Sequence, residues 1–230
     1  FQATQAPSQQ RFRPIGSALT EAWERFEHLT ENPDDKRGVP SGFTGLDNLL
    51  AGFQKSDLII LAARPSMGKT TLALDLARNA ALLHGAHVGI FSLEMSDQQL
   101  VDRMLAAESG VDSWKLRTGR LSNDQEYEAL QQAMQKLHKA PIHIIDEAAM
   151  NIVSMKSAAR RLKNEYGLDM LIVDYLQLMS PTLTKNSDSM VQQITEISRS
   201  LKILAKEMEI PVIALSQLSR AVEQRGGKPR

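Results

Sequence analysis

The segment from Ala63 to Thr70, A-R-P-S-M-G-K-T, has the residue types and spacing of a phosphate-binding loop. It matches the pattern G-x-x-x-x-G-K-[ST] except that Ala63, the smallest substitute, stands where the pattern has Gly. In such a loop the backbone N–H groups wrap the phosphates, Lys69 neutralises their charge, and Thr70 offers a hydroxyl to Mg²⁺. The phosphate-contacting residues are expected to be Ala63, Arg64, Pro65, Ser66, Met67, Gly68, Lys69, Thr70 and Thr71.

Two acidic residues at strand ends compete for the place beside a bound metal ion. Asp174 follows the wholly apolar run Leu171-Ile172-Val173, whereas the run before Asp146 is interrupted by His143. A carboxylate that ends a buried central strand is costly unless a cation or hydrogen-bond donors compensate it. The pattern therefore favours Asp174 as the acid on the Mg²⁺ side, and leaves Asp146 as a loop acid or a helix cap.

Two further polar residues follow apolar strands, and each allows two interpretations. Glu94 could orient and deprotonate an attacking water beside a γ-phosphate, or it could be a solvated acid at a helix start near Ser96. Gln217 could hydrogen-bond a γ-phosphate and report its loss, or it could be an ordinary edge or capping residue. The five histidines form no close metal-binding pattern and are interpreted as surface or helix-end residues.

These residues must be positioned by alternating strands and helices. Apolar runs predict strands at 58–63, 88–91, 142–145, 171–173 and 211–215. Helical spacing predicts helices at 70–83, 97–108, 123–138, 152–165 and 190–208. Apolar strands separated by helices indicate an α/β fold with a mainly parallel sheet flanked by helices, in which polar residues at the carboxyl ends of strands bind the ligand.

A short helix is expected ahead of this core. Residues 1–16 are rich in Gln, Pro and Ala and predict a flexible linker, and Ser17 is expected to cap a helix that carries Leu19, Trp23 and Phe26 on one face. Residues 17–37 are thus a linker helix with its connector, followed by a domain at 38–230. The aromatic face could pack on its own domain or on a neighbouring subunit.

Composition excludes several classes of protein. The chain has no cysteine, so disulfides and thiolate metal sites are impossible, and it has no apolar run of the roughly 18 residues needed to span a membrane. Its 27 basic and 27 acidic residues give a net charge of zero, so global charge neither favours nor excludes a nucleic-acid partner.

Several segments together resemble the DnaB family of replicative helicases. They occur in the family's order from about Gly38 to Arg225. Besides the loop at 63–70, the segments are Ser41-Gly42-Phe43-Thr44-Gly45-Leu46-Asp47, Phe91-Ser92-Leu93-Glu94-Met95, Ile172-Val173-Asp174-Tyr175-Leu176-Gln177-Leu178-Met179, Glu196-Ile197-Ser198-Arg199-Ser200-Leu201-Lys202 and Ala214-Leu215-Ser216-Gln217-Leu218-Ser219-Arg220.

The resemblance implies a RecA-like P-loop NTPase core and an ATP-dependent helicase that translocates on single-stranded DNA and unwinds duplex. It implies a homohexamer with ATP and Mg²⁺ between subunits, primase and helicase loader as partners, and a cytoplasmic location in a bacterial or phage-type replication machinery. By matching position it assigns Lys69 and Thr70 to phosphate and Mg²⁺, Glu94 to the general base, Asp174 to the metal-side acid and Gln217 to the sensor. The Leu19–Leu29 segment matches the family's linker helix, which packs on the adjacent subunit.

Two other functions stay open at this stage. One is a RecA-like recombinase or a loader-type ATPase, which would share the fold and the loop. The other is a nucleotide-binding assembly module without turnover, because family members continue past the position of Arg230 with a DNA-contacting loop and an arginine finger. From this we expect the chain to be a C-terminally truncated fragment, inactive or weakly active by itself.

Overall fold

The structure, a computed structural model, describes residues 12–32, 38–148, 150–179 and 190–218. By its contacts the chain divides into two compact units, Phe1–Arg37 and Gly38–Arg230. Three parts of the predicted organisation lie outside the described residues. They are residues 1–11 of the linker expected at 1–16, residues 33–37 of the connector, and Ser219 and Arg220 of the last motif. Within the described part of the chain, no helix has both the length and the apolar character needed to cross a membrane.

The first unit contains the helix α1 (Ile15–Glu31), and strands and helices alternate along the second unit. The strands are β1 (Leu58–Ala63), β2 (Val88–Ser92), β3 (Ile142–Asp146), β4 (Met170–Asp174) and β5 (Val212–Gln217). The helices are α1 (Ile15–Glu31), α2 (Thr44–Leu50), α3 (Lys69–His84), α4 (Asp97–Ser109), α5 (Ser113–Thr118), α6 (Asp124–His138), α7 (Ile152–Glu165) and α8 (Met190–Met208). A 3-10 turn, Leu176–Leu178, follows β4.

All five strands are parallel, in the order β1-β5-β4-β2-β3. Every residue of β2 and β4 is buried, whereas β1 and β3 at the two edges are partly exposed. Because the strands run in one direction, their carboxyl ends, with Ala63, Ser92, Asp174 and Gln217, meet at the same edge of the sheet. The expectation of a parallel α/β sheet is confirmed.

Alternation along the strands supplies both faces of the sheet with core residues. In β4, Leu171 and Val173 pack with α7 and α8, while Met170 and Ile172 pack with α3 and α4 on the other face. Side chains on a strand point to opposite faces in turn, so a strand buried on both sides reads as one continuous apolar run. This is why the runs before Asp174 and Gln217 were recognisable as strands.

The N-terminal helix begins earlier than expected. α1 starts at Ile15 after Pro14, and Ser17 lies inside its first turn, where its hydroxyl donates to the carbonyl of Pro14 (2.8 Å). The prediction that Ser17 is the N-cap is wrong, because the fixed φ of proline prepares the chain to enter a helix directly after it. The side chain of Arg13 then bonds both Ser17 and Glu21 along the helix.

Candidate functional site

The phosphate-binding motif occupies the turn between β1 and α3. Ala63 is the last residue of β1, is aligned with Gln217 of β5, and accepts a hydrogen bond from the N–H of Leu218 (3.0 Å). It is therefore in extended conformation, and the departure from Gly at this position carries no strain. Ser66 and Gly68 have positive φ values of 62° and 80°. A Cβ on Gly68 would meet nothing within 4 Å, so its backbone conformation, and not crowding within the chain, requires glycine here.

The N-terminus of α3 differs from those of the next four helices. α4, α5, α6 and α7 each begin with a side chain that accepts a hydrogen bond from the first turn. α3 has no side-chain cap and no acidic residue in its first turn, which starts at Lys69. Uncapped N–H groups at the positive end of a helix are a site for an anion, so the expected loop has the local electrostatics that phosphate binding needs.

Asp174 lies against both functional residues of the loop. The hydroxyl of Thr70 donates to Oδ2 of Asp174 (2.7 Å), and Nζ of Lys69 is 3.6 Å from its Oδ1. Asp174 is only 3% exposed, and Oδ1 has no hydrogen-bond partner among the described residues. A buried carboxylate with an oxygen that accepts no described hydrogen bond, next to a threonine hydroxyl, offers the hard oxygen ligands that Mg²⁺ prefers, so these residues fit the expected metal ion.

Tyr175 adds a contact that sequence reasoning missed. Nζ of Lys69 lies over the Tyr175 ring, 4.3 Å from its centroid, so the ammonium is held between an aromatic face and a carboxylate. Burial, followed by the nearby charges of Glu94 and Asp174, raises the pKa of the Tyr175 phenol. The phenol therefore stays neutral at physiological pH. Tyr175 belonged to a recognised motif, but nothing in its spacing showed which side chain its ring would face.

Glu94 lies on the turn between β2 and α4. The N–H of the buried Leu93 donates to the carbonyl of Asp174 (2.7 Å), and the Ser92 hydroxyl bonds the backbone of Met95, so the turn is fixed on both sides of Glu94. The start of α4 is already capped by Ser96 and Gln99. No described residue forms a hydrogen bond or ion pair with the exposed Glu94 carboxylate, so it is not serving as the helix cap.

Gln217 ends β5 at the same edge of the sheet. Its side chain is exposed, and its backbone is bonded by the side-chain amide of Gln177. A cavity of about 960 Å³ is lined by the loop together with Glu94 and Gln217. The cavity continues over α4 and α5, where it is also lined by Arg103 and Arg117, which the sequence had not singled out.

Other residues considered from the sequence lie elsewhere. Oδ2 of Asp146 accepts a hydrogen bond from the N–H of Asp97 at the start of α4 (3.1 Å), which agrees with the helix-cap interpretation. Met67 is 71% exposed and does not line the cavity, although it lies within the loop. His87 and His143 are half-buried near β2 and β3, so the interpretation of all five histidines as surface or helix-end residues is wrong for these two.

Comparisons with known proteins agree with this arrangement. The family model of the DnaB-like helicase C-terminal domain matches residues 38–230. The chain is 48% identical over 217 residues to the replicative DNA helicase DnaB of Geobacillus stearothermophilus, covering 94% of this chain and 47% of that protein. It is 44% identical over 228 residues to the replicative DNA helicase DnaC of Bacillus subtilis (strain 168), covering 99% and 50%. The chain thus spans about half the length of these relatives.

Solved structures lead to the same family. The ATPase domain of G40P superposes with a TM-score of 0.87 at 35% identity, over 96% of this chain and 76% of that one. A DnaB-like replicative helicase, described with its interactions with primase, superposes with a TM-score of 0.82 at 35% identity, over 96% and 52%. The fold is that of a RecA-like ATPase domain. The chain belongs to the DnaB-like helicase C-terminal domain family.

Proposed function

We propose that this chain is the ATP-hydrolysing motor domain of a replicative DNA helicase that translocates on single-stranded DNA and unwinds duplex. The observation that carries the proposal is the contact of Asp174 with Thr70 and Lys69, at the start of an uncapped helix. Residues 38–230 form the ATPase domain in this proposal, and residues 17–37 are its linker helix and connector. Membership of the helicase family favours this function over strand exchange or loading.

Each group of residues in the site has its own role in phosphoryl transfer. The loop from Ala63 to Thr71 binds the phosphates through its backbone, and Lys69 neutralises their charge. Glu94 is the general base: its carboxylate is free of other described partners and can accept a proton from a water that attacks the γ-phosphate. Gln217 hydrogen-bonds the γ-phosphate and senses its loss.

Thr70 and Asp174 are the residues that would hold Mg²⁺. The bound ion would neutralise negative charge on the phosphate oxygens. The buried position of Asp174 supports this assignment, because its carboxylate gains from any cation brought next to it. ATP and Mg²⁺ are therefore the proposed cofactors of the site.

The proposed assembly and partners follow from the family. We infer a homohexamer that encloses single-stranded DNA, with primase and a helicase loader as protein partners and the bacterial or phage replication machinery in the cytoplasm as its setting. The support for primase is the similar DnaB-like helicase whose structure is described with its interactions with primase.

Steady-state hydrolysis of ATP tests the proposal. The full-length protein that contains these residues should turn over ATP in the presence of Mg²⁺, and single-stranded DNA should stimulate the rate. Lys69→Ala removes the cation that faces the phosphates and should abolish turnover and weaken nucleotide binding. Lys55→Ala, at an exposed lysine before β1, is the matched control and should behave as wild type.

The results separate the two alternatives left open by the sequence. Nucleotide binding without turnover in the full-length protein would favour the assembly module. Turnover with strand exchange but no unwinding would favour the recombinase. Undiminished binding and hydrolysis in Lys69→Ala would contradict the assignment of the loop itself.

A further inference from the structure

One short segment, from Asp174 at the end of β4 to Met179, contacts three parts of the site. Asp174 bonds Thr70, the ring of Tyr175 covers Lys69, and Gln177 bonds the end of β5. The segment is anchored in the core by Leu176 and Met179, which are 1% and 4% exposed. Gln177 lies between these two anchors on the 3-10 turn, so the position of its side chain is set by buried neighbours.

The amide of Gln177 engages both backbone groups of Gln217. Its Nε2 donates to the carbonyl of Gln217 (3.1 Å) and to the hydroxyl of Ser216 (3.0 Å), and its Oε1 accepts from the N–H of Gln217 (3.3 Å). A primary amide has a donor and an acceptor side by side, so it can pair with a backbone as a neighbouring strand does.

The Gln177 amide takes the place of a neighbouring strand beside Gln217, where β4 no longer pairs with β5. The aligned pairs of β4 with β5 end at Val173 and Ala214, three residues before Gln217. On the other side of β5 the ladder continues, since the N–H of Leu218 donates to Ala63. Backbone groups of successive strand residues point to opposite sides, so those of Gln217 point toward the side that β4 has left. Without Gln177 they would have no partner among the described residues.

We propose that Gln177 is a positioning residue for Gln217, a role that rests on the proposed function of Gln217 as the γ-phosphate sensor. Fixing both peptide groups next to the Gln217 Cα fixes the direction of its side chain into the cavity that Lys69 and Glu94 also line. Gln177 shares its segment with Asp174 and Tyr175. The segment therefore fixes the positions of the metal-side acid and of the sensor relative to each other.

The test is a double-mutant cycle for ATP hydrolysis in the full-length protein. Gln177→Leu keeps a side chain of similar size but removes the donor and the acceptor. Because a misplacement of about 1 Å can cost about 10²-fold in rate, we expect kcat to fall about 10- to 100-fold, with the Kd for Mg²⁺-ADP within about twofold of wild type. Gln217→Ala should lower kcat similarly, and adding Gln177→Leu to it should cause no further loss.

A merely structural role would give a different pattern. If Gln177 only stabilised the fold, the two losses would multiply, because independent effects add in free energy. Gln177→Glu keeps an oxygen for the N–H of Gln217 but loses the donor, and should be intermediate in kcat. Gln54→Leu is the matched control: the Gln54 amide also bonds backbone carbonyls, of Leu50, Ala51 and Gly52, but before β1. It should leave kcat unchanged.

Hydrogen exchange at the Gln217 amide provides a readout that does not depend on turnover. In Gln177→Leu this amide should exchange faster, while amides within β4 stay protected; unchanged exchange would overturn the proposal. If wild type hydrolyses ATP and Gln177→Leu hydrolyses it at the same rate, the positioning role alone is overturned. A wild type without turnover would overturn the proposed function and the positioning role together.

Discussion

The exposed carboxylate of Glu94 lies on a turn whose neighbouring residues are fixed by the buried Leu93 and by the hydrogen bonds of Ser92. This arrangement presents a charged group at a defined place without a competing described partner. Glu94→Gln keeps the shape and the hydrogen-bonding capacity but cannot accept a proton from water. We expect nucleotide binding to persist while kcat falls by about 10²- to 10⁴-fold.

Parallel measurements of nucleotide affinity and steady-state turnover check this expectation. Glu128→Gln, at another acidic residue of the chain, on α6, is a suitable control and should retain the wild-type rate. A near-wild-type rate in Glu94→Gln would make Glu94 a structural loop acid.

The ring of Tyr175, and not its hydroxyl, is the group expected to matter for Lys69. The ring face contacts the ammonium, and the raised pKa of the phenol keeps it neutral beside two carboxylates. Tyr175→Phe should therefore behave almost as wild type. Tyr175→Leu removes a cation–π contact of about 0.5–2 kcal/mol and should lower kcat/KM for ATP by about 2- to 30-fold. Equal losses in the two variants would assign the effect to the hydroxyl instead.

Local sequence patterns were sufficient to predict the long elements of the fold. The predicted and observed bounds agree for β1, α7 and α8, and differ by one or two residues for the other strands, because buried strands and amphipathic helices have strong periodicity. The short helices α2 and α5 and the 3-10 turn were missed. Six or seven residues are too few to show a helical period, and their stability depends on the surrounding structure.

Some features of the candidate site could likewise be predicted from local sequence, whereas others depend on contacts between distant segments. Residues at strand ends could be identified one at a time, since parallel strands bring their carboxyl ends together. The distinction between Asp174 and Asp146 followed from the apolar run before Asp174. The contacts of Tyr175 with Lys69 and of Gln177 with Gln217 join residues 106 and 40 positions apart, and no pattern within one segment of the sequence specifies them.

The edge strand β3 is expected to make stability depend on pH. The ring of His143 lies 4.8 Å from that of Tyr166, and burial, followed by the charge of His87, lowers its pKa. The unfolded chain takes up this proton below about pH 6.5, whereas the folded chain takes it up only at a lower pH. The contribution of His143 to stability is therefore full above about pH 6.5 and is lost as the pH falls toward the lower pKa of the folded chain. Arg161 and Glu165 are the charged residues that line the same small cavity.

Denaturant unfolding between pH 7.5 and pH 5 measures this dependence. His143→Phe keeps an aromatic ring beside Tyr166 but has no proton to gain. We expect its free energy of unfolding to fall less than that of wild type as the pH is lowered. Parallel curves for the two proteins would show that His143 does not contribute.

Assembly of the whole molecule is expected to depend on α1. Its residues Ile15, Leu19, Trp23 and Phe26 lie on one face, and Trp23 and Phe26 are 63% and 67% exposed. A 17-residue helix is only marginally stable by itself in water, and an apolar face of this kind marks a surface for a partner. In the proposed ring, the partner is the neighbouring subunit. Trp23→Ser combined with Phe26→Ser should weaken subunit association at least about 30-fold, or about 2 kcal/mol, as expected for aromatic residues that dominate an interface.

Sedimentation velocity of the full-length protein across protein concentration measures this association. Glu24→Ser combined with Glu31→Ser changes the opposite face of the same helix and is the matched control. The aromatic pair should shift the protein toward smaller species, and the acidic pair should not. Equal sedimentation of the aromatic variant and wild type would exclude this face from the interface. A wild type that sediments as a monomer at all concentrations would instead contradict the proposed ring. Because no residue of α1 is assigned to nucleotide binding, the aromatic variant should still bind nucleotide, and hydrolysis should fall only to the extent that the ring dissociates.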